Sequence, residues 1–202
     1  MNINKIFDKA QTCKRCYGEI PIYVPYPDPK NGKENTKIMF INERPGRIGT
    51  GESGYVSFDN DDPSAKHFKE CFELLSLSRK NIFITNACIC HPKQERYTDA
   101  VPNIEEIKNC HYWLEKQIKA VNPKLIVTIG NIPLKSLKLY FRGSEQLKEF
   151  TLKKDIGKVI KDTNPWIYPL YHTSLRARQT RNTEQQKDDW FKIKGILKEF
   201  LT

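Results

Sequence analysis

Apolar and polar positions along the chain fall into blocks with two different periods. Four short runs are almost continuously apolar: Lys37-Ile38-Met39-Phe40-Ile41, Asn81-Ile82-Phe83-Ile84, Leu125-Ile126-Val127-Thr128-Ile129 and Ile167-Tyr168-Pro169-Leu170-Tyr171. Runs of this length, rich in β-branched and aromatic residues, read as strands buried on both faces. They predict strands over 37–42, 81–86, 125–129 and 167–171.

Between the runs the period lengthens. Asp62-Pro63-Ser64 reads as a helix start with proline in the first turn. Phe68, Cys71, Phe72 and Leu75 then recur at i, i+3, i+4 and i+7, one face of a helix. Asn103 is expected to cap a second helix, with Ile104, Ile107, Leu114, Ile118 and Val121 on its apolar face and Pro123 ending it. A short helix is predicted over 132–140. A Lys-rich region at 142–165 has no clear period. A last helix over 184–201 puts Trp190, Ile193, Leu197 and Phe200 on one face. Residues 1–16 predict a short helix leading into Cys13-Lys14-Arg15-Cys16. Residues 18–36 are a looped or extended stretch broken by Gly18, Pro21, Pro25, Pro27, Pro29 and Gly32. Gly46, Gly49, Gly51 and Gly54 make 46–61 a loop suited to close approach, and 91–103 is a polar loop. The order βαβαβαβα predicts a three-layer α/β/α fold with a central four-stranded parallel sheet. One domain over 1–202 accommodates it, with no internal repeat.

That architecture gives meaning to the polar residues at the strand ends. In parallel sheets, ligands bind beyond the carboxyl ends of the strands. The first strand runs into Asn42-Glu43-Arg44-Pro45-Gly46, the second into Thr85-Asn86, and the fourth into His172-Thr173-Ser174. Glu43, Asn86 and His172 are therefore expected to converge on one crevice. Each has an ordinary reading when taken alone. A histidine after a strand caps a loop, an asparagine closes a turn, and Glu43 pairs with Arg44 or Arg47. Phe58 packs in the core, and Arg176, Arg178 and Arg181 are solvated. Convergence favours the functional reading.

Charge and cysteine content narrow the chemistry. The 202 residues carry a formal net charge of +10 and a pI near 9.3. This favours a polyanionic partner, nucleic acid above all, over a merely lysine-rich surface. The hydrophobic 38% is concentrated in periodic blocks, so the chain is folded rather than disordered. No run approaches the ~18 apolar residues of a membrane span, and no secretory leader is recognisable, so a cytoplasmic location is expected. In a reducing compartment the six cysteines are expected to be ligands or core residues rather than disulfides. Cys13-x2-Cys16 has metal-ligand spacing, and Cys90 and Cys110 flank a mid-chain loop. Four thiolates suit zinc or an iron–sulfur cluster, and spacing leaves both open. Cys71 sits on an apolar helix face and reads as core. Cys88, next but one to Cys90, is not separated from the ligands by spacing.

The order and placement of these motifs resemble the uracil-DNA glycosylase superfamily, and most closely its iron–sulfur branch, family four. The resemblance runs from Cys13 to about Arg178. It is carried by Cys13-Lys14-Arg15-Cys16, Asn42-Glu43-Arg44-Pro45-Gly46, Thr85-Asn86 before Cys90-His91-Pro92, Cys110, Thr128-Ile129-Gly130 and His172-Thr173-Ser174. It implies a uracil-DNA glycosylase-like fold and a monofunctional DNA N-glycosylase acting on a flipped-out uracil or modified pyrimidine. It implies a monomer that binds DNA and no membrane, and a [4Fe–4S] cluster on Cys13, Cys16, Cys90 and Cys110 with a structural or DNA-positioning role. By the same resemblance, Glu43 positions or activates water and His172 donates to O2 of the leaving base. Asn86 pairs with the base edge, and Phe58, or failing it Tyr55, stacks on the ring. Leu175 wedges into the duplex, while Arg176 and Arg178 hold phosphates.

The chain departs from the family pattern at Asn42 (for Gly), Arg44 (for Ala) and Thr173 (for Pro), and in the nineteen residues between Cys90 and Cys110. Gly46 stands where the best-known uracil-specific branch places a Tyr that blocks 5-substituted bases. With Arg44 beside it to bind a polar substituent, a bulkier modified pyrimidine is expected to be accepted. Defence against phage carrying such bases is the alternative role. A catalytically inactive DNA-binding relative and a zinc module with an unrelated pocket are the alternatives from other classes.

Overall fold

The computed structural model describes residues 1–46, 49–93 and 100–200. Arg47, the middle of the expected polar loop and the last two residues lie outside the described set. Four strands form the central sheet: β1 (Ile38–Asn42), β2 (Ile82–Asn86), β3 (Leu125–Ile129) and β4 (Trp166–Leu170). They are all parallel, in the order β2-β1-β3-β4. The chain moves from β1 out to β2, then crosses back to β3 and β4. Winding therefore reverses at β1, and the ligand crevice of such a sheet opens beyond the carboxyl end of that strand.

Alternation along each strand splits the apolar runs between two cores. Met39, Ile41, Phe83, Ile126 and Ile167 face one side. There they pack with α1 (Ile3–Ala10), α3 (Ile104–Val121) and α4 (Asn131–Tyr140). Ile38, Phe40, Ile84, Val127 and Tyr168 face the other side. They meet α2 (Pro63–Glu73), α6 (Thr183–Phe191) and α7 (Ile193–Lys198), and α5 (Leu175–Thr180) precedes α6. With helices on both faces, every residue of β2 and β3 is buried, which is why these strands read as continuous apolar runs.

The helix starts follow the expected cap chemistry. Asp62 accepts from the Ser64 and Ala65 amides at 2.7 and 3.1 Å, with Pro63 in the first turn. Asn103 and Glu106 form a capping box at the start of α3. Two expectations need correction. Ile104 is 52% exposed, because α3 meets the core only from Ile107 onward. The last helix is two helices. The Gly195 amide bonds to the Lys192 carbonyl three residues back. This tighter turn lets Trp190, Ile193 and Ile196 all face the core, leaving Leu197 and Phe200 half-buried.

The stretch read as looped carries two small pairings. Ile22–Tyr23 runs antiparallel to His91–Pro92, and Tyr26–Pro27 runs parallel to Tyr55–Val56. The Lys-rich region forms two single-turn helices, Glu145–Glu149 and Leu152–Asp155. They are held by Leu147, Phe150 and Leu152 in the first core.

Candidate active site and thiol cluster

A cleft of about 330 Å³ opens at the carboxyl ends of β1 and β2. Asn42, Glu43, Gly46, Phe58, Asn86 and His172 all line it. The crevice expected from the strand ends is thus formed by residues from distant parts of the chain.

Register places the amides. The β1–β2 pairing ends at Asn42 opposite Asn86. Paired residues of parallel neighbours point to the same face, so the two carboxamides stand side by side above the second core. Asn86 is 4% exposed. The pairing then continues past the strands: the Ala87 amide donates to the Asn42 carbonyl at 2.8 Å, and the Cys88 amide donates to the Glu43 carbonyl at 3.0 Å. These two bonds fix the backbone that carries Glu43. Burial raises the Glu43 carboxyl above the usual carboxylate range, against the opposing charge of Arg44.

His172 follows β4. Its Nδ1 accepts the Ser174 amide at 3.0 Å. The ring proton of the neutral form therefore sits on Nε2, which is free to donate. Burial lowers the His172 pKa, partly offset by the negative charge of Asp62. The imidazole is therefore neutral near pH 7.

The two aromatic candidates separate. Phe58 lines the cleft but is also a core residue, 6% exposed. Its ring centroid lies 5.3 Å from both Phe68 and Phe72, and the Arg79 guanidinium covers it at 4.4 Å. Tyr55 is 42% exposed and does not line the cleft, because it sits on the short strand beside Tyr26.

Arg44 also requires correction. It borders the cleft, but its guanidinium is engaged elsewhere. It donates to the Ala100 carbonyl and to Tyr17 Oη, each at 3.0 Å, and forms an ion pair with Glu106. Tyr17 Oη donates to the same carboxylate. Burial alone would raise the Glu106 carboxyl, but hydrogen bonds from Tyr17, the Asn103 amide and Arg44 hold it below the usual range. Nη1 and Nη2 are held by these partners and Nε is buried without one, so the two terminal nitrogens are not available for the polar contact to substrate expected of Arg44.

The loop after His172 leads into α5, capped by Ser174 Oγ accepting the Ala177 amide at 3.3 Å. Leu175 is 62% exposed and Arg176 is exposed, whereas Arg178 is half-buried. Sequence reasoning missed what anchors this loop. Gln186 donates to the carbonyls of His172 and Arg181 at 3.3 and 2.9 Å and meets His67 Nε2 at 3.2 Å. Asp189 grips Arg181 through two bonds of 2.6 and 2.9 Å. The one available signal was that Gln186 and Asp189 share a helix face with Trp190 and Ile193.

The thiols gather beside α3. Cys16, Cys88 and Cys90 each lie in hydrogen-bonding contact with Cys110. Cys13 Sγ accepts from Trp113 Nε1 at 3.3 Å. The contacts with Cys110, and burial, push the other three thiols up, while the three contacts pull Cys110 down. All six cysteines are free thiols. Cys71 is separate, next to His67 Nε2 at 3.7 Å, and burial pushes its thiol up to about 12. Among the described residues, no group of three or more His, Cys, Asp or Glu side chains is arranged to hold a metal ion.

The fold and this crevice define an α/β/α protein whose ligand site lies at the reversal point of a parallel sheet. The model of the uracil DNA glycosylase superfamily matches residues 29–194, and the chain belongs to that superfamily. It is similar to the type-4 uracil-DNA glycosylase of Saccharolobus solfataricus, with 26% identity covering 97% of this chain and 87% of the relative. Similarity to the type-4 enzyme of Pyrobaculum aerophilum is 27%, covering 100% and 98%. A type-5 uracil-DNA glycosylase of that organism is 28% identical over 73% of this chain and 66% of its own length. No helix among the described residues is long and apolar enough to cross a membrane.

Proposed function

We propose that this protein is a monofunctional DNA N-glycosylase that hydrolyses the bond between a pyrimidine base and its sugar, with uracil as the primary base. The observation that carries the reading is the meeting of Glu43, Asn86 and His172 on one cleft. A base must leave the stack to enter such a pocket. The Asn86 carboxamide offers one acceptor and one donor, matching N3–H and O4 of uracil. Phe58 is the aromatic ring on the cleft wall that the base would pack against; with Phe68 stacked on it and Arg79 over it, the contact would be less than the ~1–3 kcal/mol of an open-face stack. As the C1′–N1 bond breaks, the base gains negative charge and the sugar gains positive charge. The neutral His172 donates from Nε2 to O2 of the departing base, a preorganised donor aimed at developing charge. Glu43, when ionised, orients a water whose oxygen bonds to C1′; the water gives up one proton through the carboxylate to solvent, and the departing base anion takes one up to leave as the neutral base. Leu175 enters the gap left in the duplex, and Arg176 and Arg178 contact phosphates. The net charge of +10 suits a DNA partner.

Cys13, Cys16, Cys90 and Cys110 would hold a [4Fe–4S] cluster. Support comes from the convergence of thiols from the N-terminal loop, the segment after β2, and α3. Bound there, the cluster would pin these segments together without entering the hydrolytic step. The reading includes one domain over 1–202, acting as a monomer in the cytoplasm.

The test is a duplex or single-stranded oligonucleotide carrying one uracil. The protein should release free uracil and leave an intact strand with an abasic site. DNA binding without base release would assign the chain to the non-catalytic class.

A second substrate reading rests on Gly46, which lines the cleft without a side chain. It leaves room for a 5-substituted pyrimidine, as a defence role against modified phage DNA would need. Mass spectrometry of bases released from DNAs carrying different modified pyrimidines would identify such a substrate.

A further inference from the structure

Three segments that lie far apart in sequence meet at one buried ion pair. Arg44 directly follows Glu43, Tyr17 directly follows Cys16, and Glu106 lies one helical turn before Cys110 on α3. The Arg44 and Glu106 side chains are only 7% and 12% exposed. The guanidinium reaches Glu106, Tyr17 Oη and the Ala100 carbonyl at once. A planar fork bound on several donors is fixed in direction as well as position. The other side of the same backbone is tied as well. The Glu43 carbonyl accepts the Cys88 amide at 3.0 Å, and the Cys88 thiol contacts Cys110. The Glu43–Arg44 segment is thus held from two directions by the elements that carry the thiols.

We propose that Arg44, Glu106 and Tyr17 form a strut that positions Glu43, so that the packing of the thiol cluster sets the geometry of the water-orienting carboxylate. The inference rests on the reading of Glu43 given above. With Nη1 and Nη2 engaged inside the protein and Nε buried, Arg44 acts through its neighbour and not on the base. It is a positioning residue, and Glu106 and Tyr17 are its anchors.

The test uses the full chain as purified and compares Arg44→Ala, Arg44→Lys and Glu106→Gln. Glu106→Gln keeps the shape of the anchor should Arg44→Ala fold poorly. Arg44→Ala should slow single-turnover uracil release by ~10–100-fold, the scale of a misplaced reacting group, while DNA affinity stays unchanged. Arg44→Lys, retaining one charged donor, should recover part of the rate. In a Glu43→Gln background, Arg44→Ala should add little. A multiplicative loss in that double variant, or a fall in affinity matching the fall in rate, would overturn the strut. A second readout does not depend on catalysis. Hydrogen exchange at the Cys88 amide, which bonds to Glu43, should quicken in Arg44→Ala while amides inside β1 and β2 stay protected. Unchanged exchange at Cys88 discards the strut whatever the rates. Faster exchange there, together with wild-type activity in Glu43→Gln, keeps the strut and discards the catalytic role of Glu43.

Discussion

Gly130 ends β3 directly against His172. Its φ is +99°, and a Cβ built there would lie 3.2 Å from His172 Cβ. The backbone conformation is one that L side chains rarely adopt, and a side chain would have to push the histidine's stem back by a few tenths of an ångström. Gly130→Ala should therefore strain the strand end and displace His172 together. The expected cost is ~1–3 kcal/mol of stability, seen as a lower denaturation midpoint. Uracil release should fall further than the small loss of folded protein explains. Wild-type rate and midpoint would show that the strand end gives way without moving the histidine.

The two titrating groups in the cleft predict an asymmetric pH response. The Glu43 carboxyl is raised by burial, and a water-orienting role needs it ionised. The single-turnover rate should therefore fall as pH drops through a value above the ordinary carboxylate figure of about 4.3, and Glu43→Gln should abolish that limb. His172 adds a stability effect of definite sign. Its folded pKa is depressed by burial, so the unfolded chain binds this proton more readily. Stability should be full above the unfolded value of about 6.5 and decline as pH falls below it. Denaturant midpoints of wild type and His172→Gln, measured from pH 8 down to pH 5, would check this. Parallel curves would refute the coupling.

The cysteines make a compositional prediction. Protein purified without oxygen should be brown and carry about four irons per chain. Cys110→Ser should lose them, since Cys110 is the thiol that Cys16, Cys88 and Cys90 all contact. Cys71→Ser should keep them, because Cys71 packs against His67 in the other core. Stoichiometric zinc without iron would rule out the cluster.

What the sequence made legible, and what it hid, follows from the range of the interactions. The sheet was readable because burial on both faces leaves each strand continuously apolar, as in Leu125–Ile129. Helix starts at Asp62 and Asn103 were readable because capping is local. Glu43, Asn86 and His172 could be singled out because they lie at strand ends: Asn86 closes β2, Glu43 follows β1, and His172 stands just beyond β4, after Tyr171. The anchoring of the His172 loop by Gln186 and Asp189 was not, since a buried polar side chain declares its partner only in three dimensions. Arg44 misled for the same reason: a charge beside a catalytic motif suggests a substrate contact, while its partner Glu106 lies 62 residues away. Two-residue pairings such as Ile22–Tyr23 with His91–Pro92 are too short to show a period.

Binding to undamaged DNA should weaken steeply with salt. The +10 charge and the exposed Arg176 after the histidine loop predict a linear plot of log affinity against log salt, with slope near −0.9 per neutralised phosphate. Arg176→Ala should reduce the magnitude by about one such unit. A flat plot would mean that the surface does not track phosphates.

The most direct measurement is single-turnover release of uracil from a uracil-containing oligonucleotide, followed by mass spectrometry of the free base, for wild type and His172→Ala side by side. Wild type should release free uracil and leave an intact abasic strand, and His172→Ala should be slower by about 10²-fold or more, the scale of losing a donor to developing charge. Equal rates in the two proteins, or no uracil from either under conditions where the wild type binds the DNA, would contradict the assignment of this cleft as the site of base release.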